Sequence, residues 1–111
     1  MVGRYPVITL CGSTRFKEEF MRIQRDLTLQ GYIVISVGCF GHAGDEFTDG
    51  QKIMLDDMHK RKIDMADEIM VINPGGYIGS STRKEIEYAQ ATYKPVHFSC
   101  TIPGWFKEVS K

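Results

Sequence analysis

Short apolar runs alternate with longer amphipathic segments along this chain. Apolar runs that are closed by turn-forming residues predict buried strands. The four runs lie at residues 7–11, 32–37, 69–72 and 95–98. The three segments in which apolar residues recur at helical spacing lie at about 15–30, 51–66 and 82–93. The predicted order is therefore strand, helix, strand, helix, strand, helix, strand.

Each predicted helix has an apolar face that we expect to pack against the sheet. The first helix presents Phe16, Phe20, Ile23 and Leu27. The second presents Met54, Leu55, Met58 and Met65. The third presents Ile86, Ala89 and Tyr93.

Alternation of strands and helices predicts an α/β fold, a three-layer open sandwich with helices on both faces of a parallel sheet. The most economical strand order is 2-1-3-4, which reverses the direction of the chain between strands 1 and 3. A ligand crevice is expected at such a reversal, outside the carboxyl ends of the strands. The loops that would line it are residues 12–15 and 74–81, both rich in glycine and hydroxyl groups.

The first of these loops, Gly12-Ser13-Thr14-Arg15, has the composition of an anion site. Backbone N–H groups at a helix start, two hydroxyls and a guanidinium can all donate to a phosphate. Because the loop lacks the spacing of dinucleotide and triphosphate motifs, a monophosphate is the better ligand. The alternative is structural, with Ser13 or Thr14 capping the helix and Arg15 solvated.

The second loop leads into Thr82-Arg83-Lys84-Glu85 at the start of the third predicted helix. A carboxylate in the first helical turn is favoured by the helix dipole, so Glu85 should be ionised and is a candidate nucleophile. The alternative is again structural, because Thr82 and Glu85 have the spacing of a capping box.

Charge and length limit the classes of partner. The chain has 111 residues with 14 basic and 14 acidic side chains, so a nucleic acid polymer is not favoured by charge. We expect a single domain over residues 1–111, with no membrane span and no signal peptide, in the cytoplasm.

The spacing of cysteines and histidines offers one candidate metal site. Cys39 with His42, and His97 with Cys100, could in principle supply four zinc ligands. The predicted strand order sends these pairs to opposite edges of the sheet. We therefore expect no metal and no cofactor.

Three stretches, residues 8–15, 66–71 and 84–89, resemble successive signatures of the nucleoside 2-deoxyribosyltransferase-like superfamily. The resemblance spans about residues 7 to 97. The chain is most similar to the 2-deoxynucleoside 5'-monophosphate N-glycosidases, which also begin with a strand that ends in Cys-Gly-Ser-x-Arg. The resemblance implies a flavodoxin-like parallel sheet.

The resemblance also implies roles for particular residues. Glu85 aligns with the glutamate that attacks the anomeric carbon of deoxyribose. Ser13 and Arg15, with Gly12, would hold the 5'-phosphate or 5'-hydroxyl, and Gly79 and Ser81 would assist from the facing loop. The second carboxylate of the family falls at about His59, where this chain has no acid. Three aspartates lie near that position, namely Asp56, Asp57 and Asp64.

The sequence therefore predicts an N-glycosidic bond hydrolase or transferase that acts on 2'-deoxynucleosides or their 5'-monophosphates. Glu85 would be the nucleophile, and His59, a residue type that titrates near neutrality, would protonate the leaving base. The alternative is a non-catalytic nucleotide-binding or sensing domain that uses the same crevice, and a third possibility is a structural module. The aromatic residues of the tail, Trp105 and Phe106, favour a homo-oligomer, at least a dimer, which would bury extra apolar surface.

Overall fold

The sheet of the computed structural model consists of four parallel strands in the order β2-β1-β3-β4. The model describes residues 3–41 and 44–107. The strands are β1 (Val7–Gly12), β2 (Ile33–Ile35), β3 (Glu68–Ile72) and β4 (Val96–Phe98). The predicted order 2-1-3-4 is confirmed.

Three α-helices connect the strands, which confirms the α/β class. They are α1 (Lys17–Leu29), α2 (Asp49–Asp64) and α3 (Ser80–Ala91), and short 3-10 turns lie at Thr14–Phe16 and Pro74–Gly76. Within the described residues, no helix is long and apolar enough to cross a membrane.

The helices cover both faces of the sheet because the chain reverses direction after β2. On one face, α1 contributes Phe20, Ile23 and Leu27 to a core shared with Ile8 and Leu10 of β1. The other face is covered by α2 and α3. Its core consists of Cys11, Ile63, Ile69, Val71, Ile86 and Ala89. Alternate residues of β1 thus serve opposite cores, and Cys11 faces the side of α2 and α3.

The buried face of α2 differs from the predicted one. The side chains of Met54, Met58 and Met65 are exposed, by 50%, 39% and 70%, and Leu55 is half-buried. The helix turns His59 and Ile63 inward instead. Residues 55, 59 and 63 form an i, i+4, i+8 row, which the sequence analysis missed because a histidine interrupts its apolar character.

The helix α3 begins two residues earlier and ends two residues earlier than predicted. Gly79 is its N-cap without a side-chain hydrogen bond, and Thr82 is buried inside the helix, so the predicted capping box does not form. Ile86 and Ala89 are buried as predicted. Tyr93 is not: it follows the helix with a φ of 60° and is 77% exposed. It occupies the left-handed position that terminates many helices.

The strand order separates the two cysteine and histidine pairs that are candidate zinc ligands. Cys39 follows β2, whereas His97 lies within β4 at the opposite edge of the sheet. His42 lies outside the described residues. These pairs therefore do not meet as one four-ligand site.

Candidate active site

A pocket of about 450 Å³ opens at the carboxyl ends of β1 and β3, where the strand order reverses. Residues from the two predicted loops, 12–15 and 74–81, line the pocket together with residues of α2 and α3. All the predicted site residues face this pocket, namely Gly12, Ser13, Arg15, His59, Gly79, Ser81 and Glu85.

Gly12 shapes the wall where β1 ends. Its φ is +147°, and a Cβ atom at this position would lie 2.7 Å from the backbone oxygen of Ile72. Both the backbone conformation and the contact therefore require glycine. The chain turns here from the sheet directly into the first pocket loop.

The first loop is organised by hydrogen bonds to one hydroxyl. Ser13 Oγ accepts from the backbone N–H of Arg15 at 3.4 Å and from Arg15 Nε at 3.2 Å. Ser13 therefore caps the 3-10 turn at Thr14–Phe16, as the structural alternative predicted. Arg15 is nevertheless exposed at the pocket and oriented by Ser13, an arrangement that leaves its guanidinium face accessible to a ring.

That ring belongs to Tyr77, a residue that the sequence analysis did not single out. The Arg15 guanidinium carbon lies 4.5 Å from the centre of the Tyr77 ring. Phe16 packs edge-on against the same ring, with 5.8 Å between the ring centres. Tyr77 thus holds the second loop against the first through cation–π and aromatic contacts. An aromatic residue among glycines and serines was the available signal.

Glu85 lies in the second turn of α3 rather than the first, so the helix dipole does not determine its charge. Its side chain is only 20% exposed. Burial, followed by the nearby carboxylate of Asp56, raises the pKa of Glu85 to about 8, and a hydrogen bond from the Cys11 thiol partly opposes this rise. The expectation that Glu85 is ionised at neutral pH is therefore wrong.

His59 is the neighbour of Glu85 across the gap between α2 and α3. His59 Nε2 lies 3.6 Å from Glu85 Oε1, and the imidazole is 8% exposed. Burial and the positive charge of Lys62 lower the pKa of His59 to about 4. The expectation that His59 titrates near neutrality is wrong, because the buried imidazole is uncharged at pH 7.

Cys11 lies directly behind this pair. Its Sγ is 3.3 Å from His59 Nε2, and the residue is completely buried. Burial, and then the charge of Glu85, raise the pKa of the thiol well above its usual value. One ligand atom from each of Cys11, His59 and Glu85 lies within 4.8 Å of the other two, a geometry that could hold a metal ion.

Three charged residues of α2 also line the pocket, namely Lys52, Asp56 and Lys62. Asp56 lies one turn before His59 and lines the pocket. Lys62 Nζ donates to the backbone oxygen of Ser36 at 2.8 Å and also faces the pocket. The i, i+3 spacing of Asp56 and His59 was the signal that could have selected Asp56 among the three nearby aspartates.

Comparison with known proteins finds a likeness at the level of structure. No protein-family model and no curated protein matches the chain. Among solved structures, the chain is similar to the CMP N-glycosidase BcmB of Clostridium botulinum, with a TM-score of 0.58 and 18% sequence identity. The match covers 83% of this chain and 69% of that chain. At this identity the likeness shows the fold, and it agrees with the predicted flavodoxin-like sheet.

Proposed function

We propose that this protein cleaves the N-glycosidic bond of a 2'-deoxynucleoside or its 5'-monophosphate, with Glu85 as the nucleophile. One observation carries the proposal: a buried carboxyl group and a loop suited to an anion face each other across a pocket of about 450 Å³. A nucleotide carries both groups that such a pocket would engage, a phosphate and an anomeric carbon. The similar solved structure is that of a CMP N-glycosidase, an enzyme that is named for a nucleotide substrate.

The phosphate end of the substrate is assigned to the first loop. Gly12 permits close approach of the backbone, and Ser13 and Arg15 supply a hydroxyl and a fork of N–H donors. Gly79 and Ser81 approach the same region from the second loop. Held at this end, a nucleotide would have its sugar directed toward α3 and the Glu85 carboxyl.

The first chemical step is displacement at the sugar. An oxygen of ionised Glu85 forms a bond to C1' while the bond from C1' to the base nitrogen breaks, and the electron pair leaves with the base. In the second step a water oxygen bonds to C1' and the water gives up a proton to solvent, while the ester bond to Glu85 breaks and the carboxylate is regenerated. A second base in place of water would give transfer instead of hydrolysis.

Glu85 must be ionised for the first step, and its pKa of about 8 means that the carboxyl group must first lose its proton. At pH 7 the protonated form of Glu85 therefore predominates. We assign to His59 the positioning of this carboxyl group, since its Nε2 atom lies 3.6 Å from Glu85 Oε1. Asp56, which lines the same wall, acts through its negative charge, which raises the pKa of Glu85. The leaving base takes its proton from solvent.

The alternative is a nucleotide-binding or sensing domain without turnover. It uses the same pocket and the same contacts to phosphate. Protonation of Glu85 in the empty pocket favours this alternative, because a neutral carboxyl group can hydrogen-bond to a ligand without attacking it. The two functions differ only in whether base is released.

Incubation of the protein with the four deoxynucleoside monophosphates, CMP and the corresponding nucleosides distinguishes them. Free base is measured by chromatography, and binding is measured by calorimetry on the same samples. Release of base supports the glycosidase. Tight binding without release supports the sensing domain, and neither binding nor release leaves a structural module.

Two further properties belong to this proposal. A homo-oligomer, at least a dimer, is expected because Trp105 is 38% exposed and Met54 and Met58 of α2 are exposed as well. Light scattering after size-exclusion chromatography measures this directly, and a monomer at micromolar concentration would contradict it. A cytoplasmic location is proposed with it.

A further inference from the structure

Cys11, His59 and Glu85 bring a thiol, an imidazole and a carboxyl group together at the base of the pocket. They come from three different elements, β1, α2 and α3, so the cluster depends on the tertiary fold. The sulfur lies 3.3 Å from His59 Nε2, and that nitrogen lies 3.6 Å from Glu85 Oε1. The remaining pair of ligand atoms is within 4.8 Å.

These separations match those of a tetrahedral zinc site. Zinc binds sulfur at about 2.3 Å and nitrogen or oxygen at about 2.0–2.2 Å, so neighbouring ligand atoms in a tetrahedron are about 3.3–3.6 Å apart. Two of the three separations already have these values. The third separation, between Cys11 Sγ and a Glu85 carboxylate oxygen, is no more than 4.8 Å.

We propose that Cys11, His59 and Glu85 form a binding site for Zn²⁺ whose fourth position faces the pocket. Cys11 is completely buried behind the other two residues, whereas His59 and Glu85 line the pocket, so only the pocket side is open to a fourth ligand. Three protein ligands and one open position are typical of zinc sites that exchange water or substrate.

The donor set selects the metal. Sulfur and imidazole ligands favour zinc and similar transition metals, whereas magnesium and calcium require oxygen ligands. Asp56 lies close enough to act on the charge of Glu85 and favours a cation, and Lys62, whose positive charge acts on His59, opposes it. Zinc binding would displace two protons to solvent, one from the Cys11 thiol and one from the Glu85 carboxyl group, since the thiolate and the carboxylate are the ligands.

Zinc and the glycosidic reaction would compete for Glu85. A carboxylate bound to zinc is not free to bond to C1', so zinc is an inhibitor of the reaction; this consequence rests on the proposed function. Removal of zinc with a chelator would then raise the rate of base release. The site itself does not depend on that function.

Cobalt and zinc titrations of chelator-treated protein test the site without any nucleotide. Co²⁺ should bind with one ion per chain and give the near-ultraviolet band of cobalt–thiolate bonding with the visible bands of tetrahedral cobalt. Zn²⁺ should then displace it. Each of Cys11→Ser, His59→Gln and Glu85→Gln should weaken zinc binding by about 100-fold or more.

Matched controls are Cys39→Ser and Cys100→Ser, which replace the other two cysteines and should leave the cobalt spectrum unchanged. If Cys11→Ser does not fold, Glu85→Gln at the pocket wall carries the test. Absence of binding at micromolar metal overturns the proposal, as does a thiolate band that survives Cys11→Ser or is lost in Cys39→Ser. Cobalt binding, together with no base release by the chelator-treated protein, would retain the zinc site and reject the glycosidase.

Discussion

The Nε2 atom of His59 lies 3.6 Å from the Oε1 atom of Glu85, in a site where neither group is charged at neutral pH. Burial lowers the pKa of the imidazole to about 4 and raises that of the carboxyl group to about 8. The pair therefore holds one proton, on the carboxyl group, across most of the physiological range. Any chemistry at Glu85 must begin by removing it.

The free energy of unfolding should depend on whether this proton is bound. Glu85 has a raised pKa in the folded state, so its contribution is fully present below the unfolded value of about 4.5 and is lost as the pH rises through about 8. Relative to Glu85→Gln, the wild type should lose on the order of 4 kcal/mol of unfolding free energy across that window.

Urea unfolding of both proteins in chelator-containing buffer, at pH values across the window, measures this difference. Glu87→Gln is the control, because Glu87 lies on the same helix, is 61% exposed and pairs with Arg83 at the surface. A difference between wild type and Glu85→Gln that does not change with pH would contradict the burial of a protonated carboxyl group.

Arg15 should contribute to phosphate affinity and little else. A charge-assisted hydrogen bond to phosphate is worth about 1.5–3 kcal/mol, so Arg15→Ala should weaken binding of a nucleoside monophosphate by about 10- to 100-fold. Binding of the matching nucleoside should change by less than about threefold. Arg25→Ala, at an exposed position on α1, is the control.

Calorimetry on the two ligands gives the test. Arg15→Lys separates charge from geometry, because lysine keeps the charge but loses the guanidinium plane that lies over Tyr77. An equal loss of affinity for nucleoside and monophosphate would reject the phosphate role.

Asp56 should set the pH dependence of the reaction through its negative charge, which raises the pKa of Glu85. Asp56→Asn removes that charge, so the rising limb of the rate against pH should move to lower pH.

Asp57→Asn is the matched control, since Asp57 is the next residue of α2 and does not line the pocket. Steady-state kinetics over a range of pH give the position of that limb. The same position in the two asparagine variants would remove Asp56 from the mechanism.

Gly12 should be required for folding around the pocket. In Gly12→Ala the new Cβ would meet the backbone oxygen of Ile72 at 2.7 Å, at a φ of +147°. The variant should lose at least about 2 kcal/mol of unfolding free energy. Gly50→Ala, where nothing lies within 4 Å of the added atom, should lose none. Thermal or urea unfolding compares them, and a Gly12→Ala variant as stable as wild type would refute this account of the turn.

The sheet was predictable because its strands are apolar runs bounded by turn residues, and because alternation with helices leaves few topologies. The inward face of α1 was predictable for the same reason, with Phe20, Ile23 and Leu27 at regular spacing. The face of α2 was not. Burial of His59 depends on partners from β1 and α3, which no local pattern of α2 contains.

The site was predictable in its members but not in its electrostatics. Loops at the carboxyl ends of β1 and β3 must meet at the reversal of the sheet, so the predicted residues share one pocket. The pKa of Glu85 is raised first by burial and then by the approach of Asp56. Both follow from tertiary packing, which no local sequence pattern contains.

The central claim is that the Glu85 carboxylate attacks C1'. The most direct measurement is the rate of free-base release from the best nucleotide of the panel, in chelator-containing buffer between about pH 6 and pH 9, for wild type, Glu85→Gln and Glu87→Gln. We expect the wild-type rate to rise toward pH 8, Glu87→Gln to match it, and Glu85→Gln to fall by about 1,000-fold or more. Base release by Glu85→Gln at the wild-type rate would contradict the claim.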